Sequence, residues 1–497
     1  MRAISITTLC LTVISVRTLD NYDKNKTNLL EQEAIHSVGA ELQLSKDELQ
    51  VNNILMTLKN TENKNYIANP KNDTFSKHYF TYRDQTEKSR VYQIIKRMPK
   101  GAVLHVHNVF VLDADYKVSL TYENHLYGCY VGVDLKLYFS DGIPHQPCPT
   151  KWTLLSELRN ATDVKHFDSE LKKRFTIYST DQKSNDVNSI WKQFGNVHAV
   201  TKSLLSYRPV REKYIYECLK RFYDDNVMYV EVRGGLHRLY ELNGTEHDPS
   251  HLVQLYMDVT ERFKEDHPDF IGIKFILTQH RSANIKDIQE AVNVAKNIKS
   301  EYPQAFAGFD LVGQEDVGKP LSEFIQALLD VKEDIDFFFH AGETNWLGMQ
   351  SDENLFDAIL LETRRIGHGY ALARHPVLMS LVKKREIAVE VTVISSVVFR
   401  LLRDMRQHPL AIFLAFGLPV VLSSDYPGMW GAAPLSDDFY VAFMAVANQH
   451  SDLRLLKQLA INSIRYCALE NRRKNRLFEV FNKRWDKFLK EVLAMNL

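Results

Sequence analysis

From Gly101 onward the chain alternates short apolar runs with longer segments whose apolar residues recur at three- and four-residue spacing. The runs are "AVLHVH", "VMYVEVR", "FIGIKFILTQ", "AFAGFDLVGQE", "IDFFFHAGE", "RRIGHGY", "IAVEVTVIS" and "LPVVLSSDY". Runs this apolar predict strands covered on both faces, and segments such as "DIQEAVNVAKNIKSEY" and "SEFIQALLDV" predict the helices that cover them. Eight such units predict an α/β fold, a (β/α)8 TIM-type barrel. An open doubly wound sheet is the runner-up, but no Gly-x-Gly-x-x-Gly turn follows the first run. The tail "LKQLAINSIRYCALENRRKNRLFEVFNKRWDKFLKEV" and the segment from Asn28 to Leu58 carry helical periodicity. The basic stretch "NRRKNR" reads as a solvated helix face.

Composition narrows the function classes. Lys plus Arg and Asp plus Glu each total 62 in 497 residues, so no overall basic field draws the chain to nucleic acid or to an anionic membrane. The first 24 residues, "MRAISITTLCLTVISVRTLDNYDK", place one Arg before an apolar stretch from Ala3 to Val16. That stretch is too short to span a bilayer and has the length of a signal-peptide core, expected over residues 1–18. Asn25, Asn72, Asn160 and Asn243 each begin an Asn-x-Thr sequon, in keeping with secretion. Removal of Cys10 with the signal leaves four cysteines. Cys129 and Cys148, in a Gly/Pro/His-rich and irregular stretch, are the candidate disulfide, worth roughly 3 kcal/mol through loop closure. Cys218 and Cys467 lie on amphipathic helical patterns and read as buried thiols.

The candidate chemistry lies at the C-terminal ends of the runs. His105 and His107 stand two residues apart, so a strand aims both imidazoles to one side. Arg233, Gln279, Gln314 and Glu315, His340 and Glu343, His368, Ser395 and Asp425 occupy the other ends. A barrel gathers all these ends on one face, where its active sites are built. A return of polarity at strand ends accounts for Arg233, Gln279 and Ser395, but less well for three histidine-bearing ends and a terminal Asp. His105, His107, His340 and Asp425 together supply three imidazoles and a carboxylate, a donor set for Zn²⁺ with room for water. A metal of this kind activates water near neutral pH. Glu343, three residues after His340, is placed to exchange protons beside it, and His368 to orient the attacking water.

The segments "MPKGAVLHVHN", "GFDLVGQED", "FFFHAGET", "RRIGHGYAL" and "VVLSSDYPGMWGA" resemble the signatures of secreted adenosine deaminases of the adenosine deaminase-related growth factor family. The likeness runs in matching order from about Leu55 to the C-terminus. It implies an extracellular, zinc-dependent barrel over residues 99–497 that converts adenosine to inosine, with 2′-deoxyadenosine as a second substrate. It also implies an N-terminal helical dimerisation region over 19–98. A disulfide-bearing insertion is implied from about Leu120 to Tyr178, which suits the long gap between the first two runs. By position, His105, His107, His340 and Asp425 match the zinc ligands, Glu343 the acid that protonates the purine, and His368 the base that orients the water. Gly313 matches a backbone contact to the purine. Trp152 resembles a tryptophan over the nucleoside pocket, with anchoring of the insertion as its equal alternative.

Three positions depart from the family pattern. Asp425 is followed by Tyr426 where a second Asp contacting the purine is usual, Asn108 replaces an Asp that meets the ribose, and Ser206 replaces a His near the sugar. The proton-transfer set is therefore complete while the substrate-holding shell is altered. Each lost buried hydrogen bond costs about 1–3 kcal/mol. The expectation is a zinc enzyme acting on a purine nucleoside, with activity reduced by Tyr426, Asn108 and Ser206. The competing expectations are a secreted growth-factor or adenosine-binding protein without turnover, and a deaminase for a modified purine. A homodimer is the expected assembly, with a cell-surface receptor or glycan as a further partner class and with neither nucleic acid nor a membrane span expected.

Overall fold

The computed structural model describes residues 21–68, 74–132, 134–178 and 186–495. The expected signal peptide and the Asn72 sequon lie outside them. Strand β1 (Gly101–His107) begins the barrel, and β2 (Leu126–Val131), β3 (Asp134–Phe139) and β4 (Thr153–Leu154) form a separate antiparallel sheet. The barrel continues with β5 (Val227–Gly234), β6 (Gly272–His280), β7 (Phe306–Val312), β8 (His340–Ala341), β9 (Arg365–His368), β10 (Ala388–Val391) and β11 (Val420–Leu422). All eight expected strands are present and parallel, in two four-stranded sheets of order β1-β5-β6-β7 and β11-β10-β9-β8. The ladders are not continuous around the barrel. One parallel bridge, Phe309 with Phe337, joins β7 to the approach of β8, and another, Val106 with Asp425, joins β1 to the exit of β11.

The second sheet is shorter than the apolar runs suggest. "IDFFFHAGE" contributes only a two-residue strand, and "IAVEVTVIS" turns into a helix, Val393–Val398, that carries Ser395. Two of its strand ends leave β geometry, because His368 and Asp425 have left-handed φ values of 60° and 59°. Non-glycine residues in that region carry strain of about 1–3 kcal/mol. "SEFIQALLDV" divides into a 3-10 turn, Leu321–Phe324, and a one-turn helix, Ile325–Leu329. The tail breaks into Leu453–Arg465 and Asn471–Leu493, because Tyr466 to Glu470 closes the barrel floor.

The stretch around the cysteines is irregular only in part: Cys129 stands in β2, whereas Cys148 lies in the bends and coil that follow β3. β2 pairs with β3 along its length, and the Cys129–Cys148 disulfide spans 19 residues beside that hairpin. Glycine, proline and histidine in the flanking turns masked the strand alternation. Cys218 and Cys467 are buried free thiols. The N-terminal segment likewise breaks, with one helix over 21–36 and another at Lys46–Ala68. The second packs on the C-terminal helix. Glu48 accepts from the Trp485 indole N–H at 2.8 Å, and Lys59 donates to the carbonyls of Asn448 (3.1 Å) and Ser451 (2.8 Å). Asn25, Asn160 and Asn243 are exposed. No helix among the described residues is long and apolar enough to cross a membrane.

The β7–β8 seam depends on Gly308. A Cβ there falls 2.2 Å from the Asp336 carbonyl oxygen and 2.6 Å from the Phe338 ring, and Phe338 donates its backbone N–H to the Phe309 carbonyl at 3.0 Å. Gly308→Ala is expected to destabilise the fold by about 1–3 kcal/mol through overpacking, read as a lower denaturant midpoint with an unchanged slope.

Candidate metal centre and active site

The strand pleat and register bring the cluster together. His105 and His107 leave β1 on one side, His340 enters from β8, and Asp425 stands just beyond β11, pinned by His107 N–H to Asp425 O (3.0 Å) and Asp425 N–H to His105 O (3.1 Å). All four are buried, and one ligand atom from each lies within 4.8 Å of the others. Asp425 Oδ1 is 3.6 Å from His105 Nε2 and 3.4 Å from His107 Nε2.

The tautomers suit a metal. His105 Nδ1 donates to Glu390 Oε2 at 2.8 Å and His340 Nδ1 to Asp310 Oδ2 at 2.6 Å, which leaves each Nε2 with its lone pair facing inward. The three Nε2 atoms and both Asp425 oxygens are buried without a hydrogen-bond partner. Such atoms cost about 1–3 kcal/mol each unless something compensates them. Burial, reinforced by neighbouring positive charge, holds His105 and His107 well below the ordinary imidazole range, so both remain neutral. Burial also pushes Asp425 well above the usual carboxylate range. Neutral imidazoles around a buried carboxylate whose ionised form needs a counter-cation fit a divalent metal, and zinc by donor type.

Glu343 and His368 stand beside the cluster, with His368 Nε2 3.8 Å from Glu343 Oε1. Burial pushes Glu343 well above the carboxylate range, with Asp425 and Glu315 adding to the effect and Arg281 opposing it. The turn that carries Glu343 is held by Glu315, which accepts from Gly342 N–H at 3.0 Å and Glu343 N–H at 2.6 Å. Burial keeps His368 neutral, and a 2.9 Å hydrogen bond joins its Nδ1 to Thr392 Oγ1. Thr392 in turn contacts Ser395 Oγ at 2.8 Å, and Ser395, carried on a helix, also opposes the effect of burial on the Asp425 carboxyl.

A cavity of about 440 Å³ opens beside His107, within the range of small-molecule pockets. Asn108, Gly313 and Tyr426 line it. Gly313 has φ +109°, and a Cβ there falls 2.5 Å from His280 Nε2. The Asn108 amide nitrogen is buried without a partner. The Tyr426 ring stacks on His107 with centroids 4.4 Å apart and meets Phe110, Phe194, Phe399 and Trp430 edge-on. Gln279 binds its neighbour's backbone N–H.

Trp152 is not brought to this cavity. Its indole N–H donates to the Gln146 carbonyl at 2.8 Å and its ring leans on Tyr138, both of them residues of the insertion itself. The indole at the pocket is Trp191, on the helix Val187–Leu205 just beyond the expected insertion, and it stacks on Phe399 with centroids 4.5 Å apart. Gln314 secures that helix with a 2.9 Å hydrogen bond to Asn188. Ser206 turns back to the Lys202 carbonyl at 2.7 Å. Reading the sequence also missed Glu390 and Asp310. Their signal was a lone acid inside an apolar run, as in "IAVEVTV" and "AGFDLVG".

The chain matches the family described as Adenosine deaminase over residues 153–484 and the one described as Adenosine/AMP deaminase N-terminal over residues 3–95. It is 43% identical to an adenosine deaminase of Phlebotomus duboscqi, covering 96% of this chain and 93% of that one. It is 39% identical to adenosine deaminase 2 of Homo sapiens, covering 95% and 94%. Among solved structures, an amidohydrolase from Burkholderia ambifaria with bound Zn superposes with a TM-score of 0.56 at 18% identity, covering 82% of this chain and 95% of that one. That likeness speaks to the fold.

Addition of zinc to metal-free protein is expected to raise its stability by about 2.7 kcal/mol at a hundredfold excess over Kd, read as a rise in Tm. Asp425→Asn is expected to abolish most of that rise.

Proposed function

The chain belongs to the adenosine deaminase family, and from that premise we propose that it is an extracellular, zinc-dependent enzyme that hydrolyses adenosine, and 2′-deoxyadenosine, to the inosine product and ammonia. The observation that carries this reading is the convergence of four unpartnered ligand atoms, a Glu343 whose carboxyl favours its proton, and a nucleoside-sized cavity at one strand-end face.

His105, His107, His340 and Asp425 would hold the metal. A bound zinc ion supplies water activated for attack near neutral pH. Glu343, carrying its proton, donates it to the purine ring nitrogen next to the amino-bearing carbon, which draws electron density away as the new C–O bond forms. His368, neutral and fixed through Thr392, accepts a proton from the attacking water. The amino group then takes the proton held by His368 and leaves as ammonia as the C–N bond breaks, while the new hydroxyl gives its proton back to Glu343 and becomes the carbonyl of the product. Asn108, Gly313 and Tyr426 hold the nucleoside under the Trp191 helix.

Zinc is favoured by the three-imidazole, one-carboxylate donor set. Secretion is supported by the disulfide, which belongs to oxidising compartments, and by the three exposed sequons. A homodimer through the N-terminal helices is supported by Tyr22, Leu29, Leu30 and Ile35, which the first helix leaves exposed. A second reading, a secreted binding or growth-factor protein with weak or no turnover, draws on Tyr426, whose ring occupies the pocket wall against His107.

The absorbance of adenosine, followed with zinc-loaded protein, separates the two. The enzyme reading expects turnover that Glu343→Ala lowers by about 10²- to 10⁴-fold with zinc content unchanged. Adenosine binding without product supports the second reading. Tyr426→Phe, which keeps the ring and deletes the hydroxyl, is expected to lower kcat/KM about ten- to a hundredfold, the equivalent of one buried hydrogen bond.

A further inference from the structure

Two buried carboxylates cross between the half-barrels. Glu390, from β10 in the second sheet, supports His105 of β1 in the first, and Asp310, from β7 in the first sheet, supports His340 of β8 in the second. Arg233 of β5 joins these crossings. Its Nη2 donates to Glu390 Oε2 at 2.6 Å and its Nε to Asp310 Oδ2 at 2.9 Å, the same oxygens that the two histidines contact. The guanidinium also grips both ligand strands by their main chains, through Nη1 to Leu104 O at 2.6 Å and Nη2 to Phe338 O at 3.2 Å. Leu104 directly precedes His105, and Phe338 lies two residues before His340.

Resting on the metal reading above, we propose that Arg233 is a positioning residue that yokes His105 to His340, fixing the separation of two metal ligands that belong to different sheets. The barrel needs such a brace, because each seam between the sheets has a single backbone bridge. Arginine suits the task because its planar fork satisfies several acceptors at set angles while its charge neutralises the two carboxylates. A lysine ammonium in the same place supplies the charge without spanning both oxygens.

The test measures zinc affinity by competition with a chelator, alongside Tm, in Arg233→Lys and in Asp225→Asn. Asp225 forms a buried ion pair with Lys100 at 3.6 Å and meets none of the clustered histidines, so its variant reports plain destabilisation. Arg233→Lys is expected to weaken zinc binding about ten- to a hundredfold, the scale of lost support around metal ligands. Asp225→Asn is expected to lower Tm with zinc affinity within about twofold of the parent. Glu390→Gln, which releases His105 from the yoke, replaces Arg233→Lys if the latter does not fold and carries the same expectation. Wild-type zinc affinity in the yoke variant overturns the proposal, as does an equal loss in Asp225→Asn. A parent protein that takes up no zinc overturns it together with the metal reading, and is recognised by that first measurement.

Discussion

The barrel interior holds a chain of buried ion pairs where such folds ordinarily place aliphatic layers. Glu231, Arg233, Asp310, Arg365 and Glu390 are all 0–1% exposed. Charges so placed are tolerable only when each is paired and its remaining hydrogen-bonding positions are filled. Here Arg365 lies between Glu231 and Glu390, and Arg233 between Glu390 and Asp310. The chain of pairs ends on His105 and His340 at the strand-end face and on the backbone of Tyr466 and Ala468 at the floor. Breaking such a pair by removing one member typically costs about 3–5 kcal/mol. The network therefore constrains the aim of two imidazoles and the closure of the barrel floor at once.

Everything chemical at the other end follows from that aim. With each Nδ1 engaged by a carboxylate, the Nε2 lone pairs converge on Asp425, whose left-handed backbone turns its carboxylate into the cluster instead of along a strand. Glu315 fixes the turn that presents Glu343, and Thr392 fixes His368. The groups proposed to react thus sit at or just beyond strand ends, while the pocket wall is completed by the helix Val187–Leu205 and the aromatic rings around Tyr426. Family membership and this geometry both support the proposed chemistry, and Asn108 and Tyr426, where the chain departs from the family pattern, line the adjoining cavity.

The strand order and the cluster were legible in the sequence for a shared reason. Apolar runs with a polar last residue mark strands whose ends collect on one face, and His105, His107, His340, Asp425, Glu343 and His368 are all last or near-last residues of this kind. The insertion sheet was not legible, because the turns around Cys129 and Cys148 hide the alternation of β2 and β3. Nor was the pocket helix. Trp191 lies far from any strand end, while Trp152 stood in the more suggestive context and proved to be held by Gln146. Arg233 looked like ordinary strand-end polarity, since the partners that give it a role, Glu390 and Asp310, lie 157 and 77 residues away.

The most direct test of the account is X-ray absorption at the zinc edge of the zinc-loaded protein. The account predicts three imidazole nitrogens and one carboxylate oxygen, with protein ligand distances near about 2.0–2.2 Å, and the loss of one imidazole in His107→Ala. A sulfur scatterer, or fewer than three imidazoles in the parent protein, would contradict it.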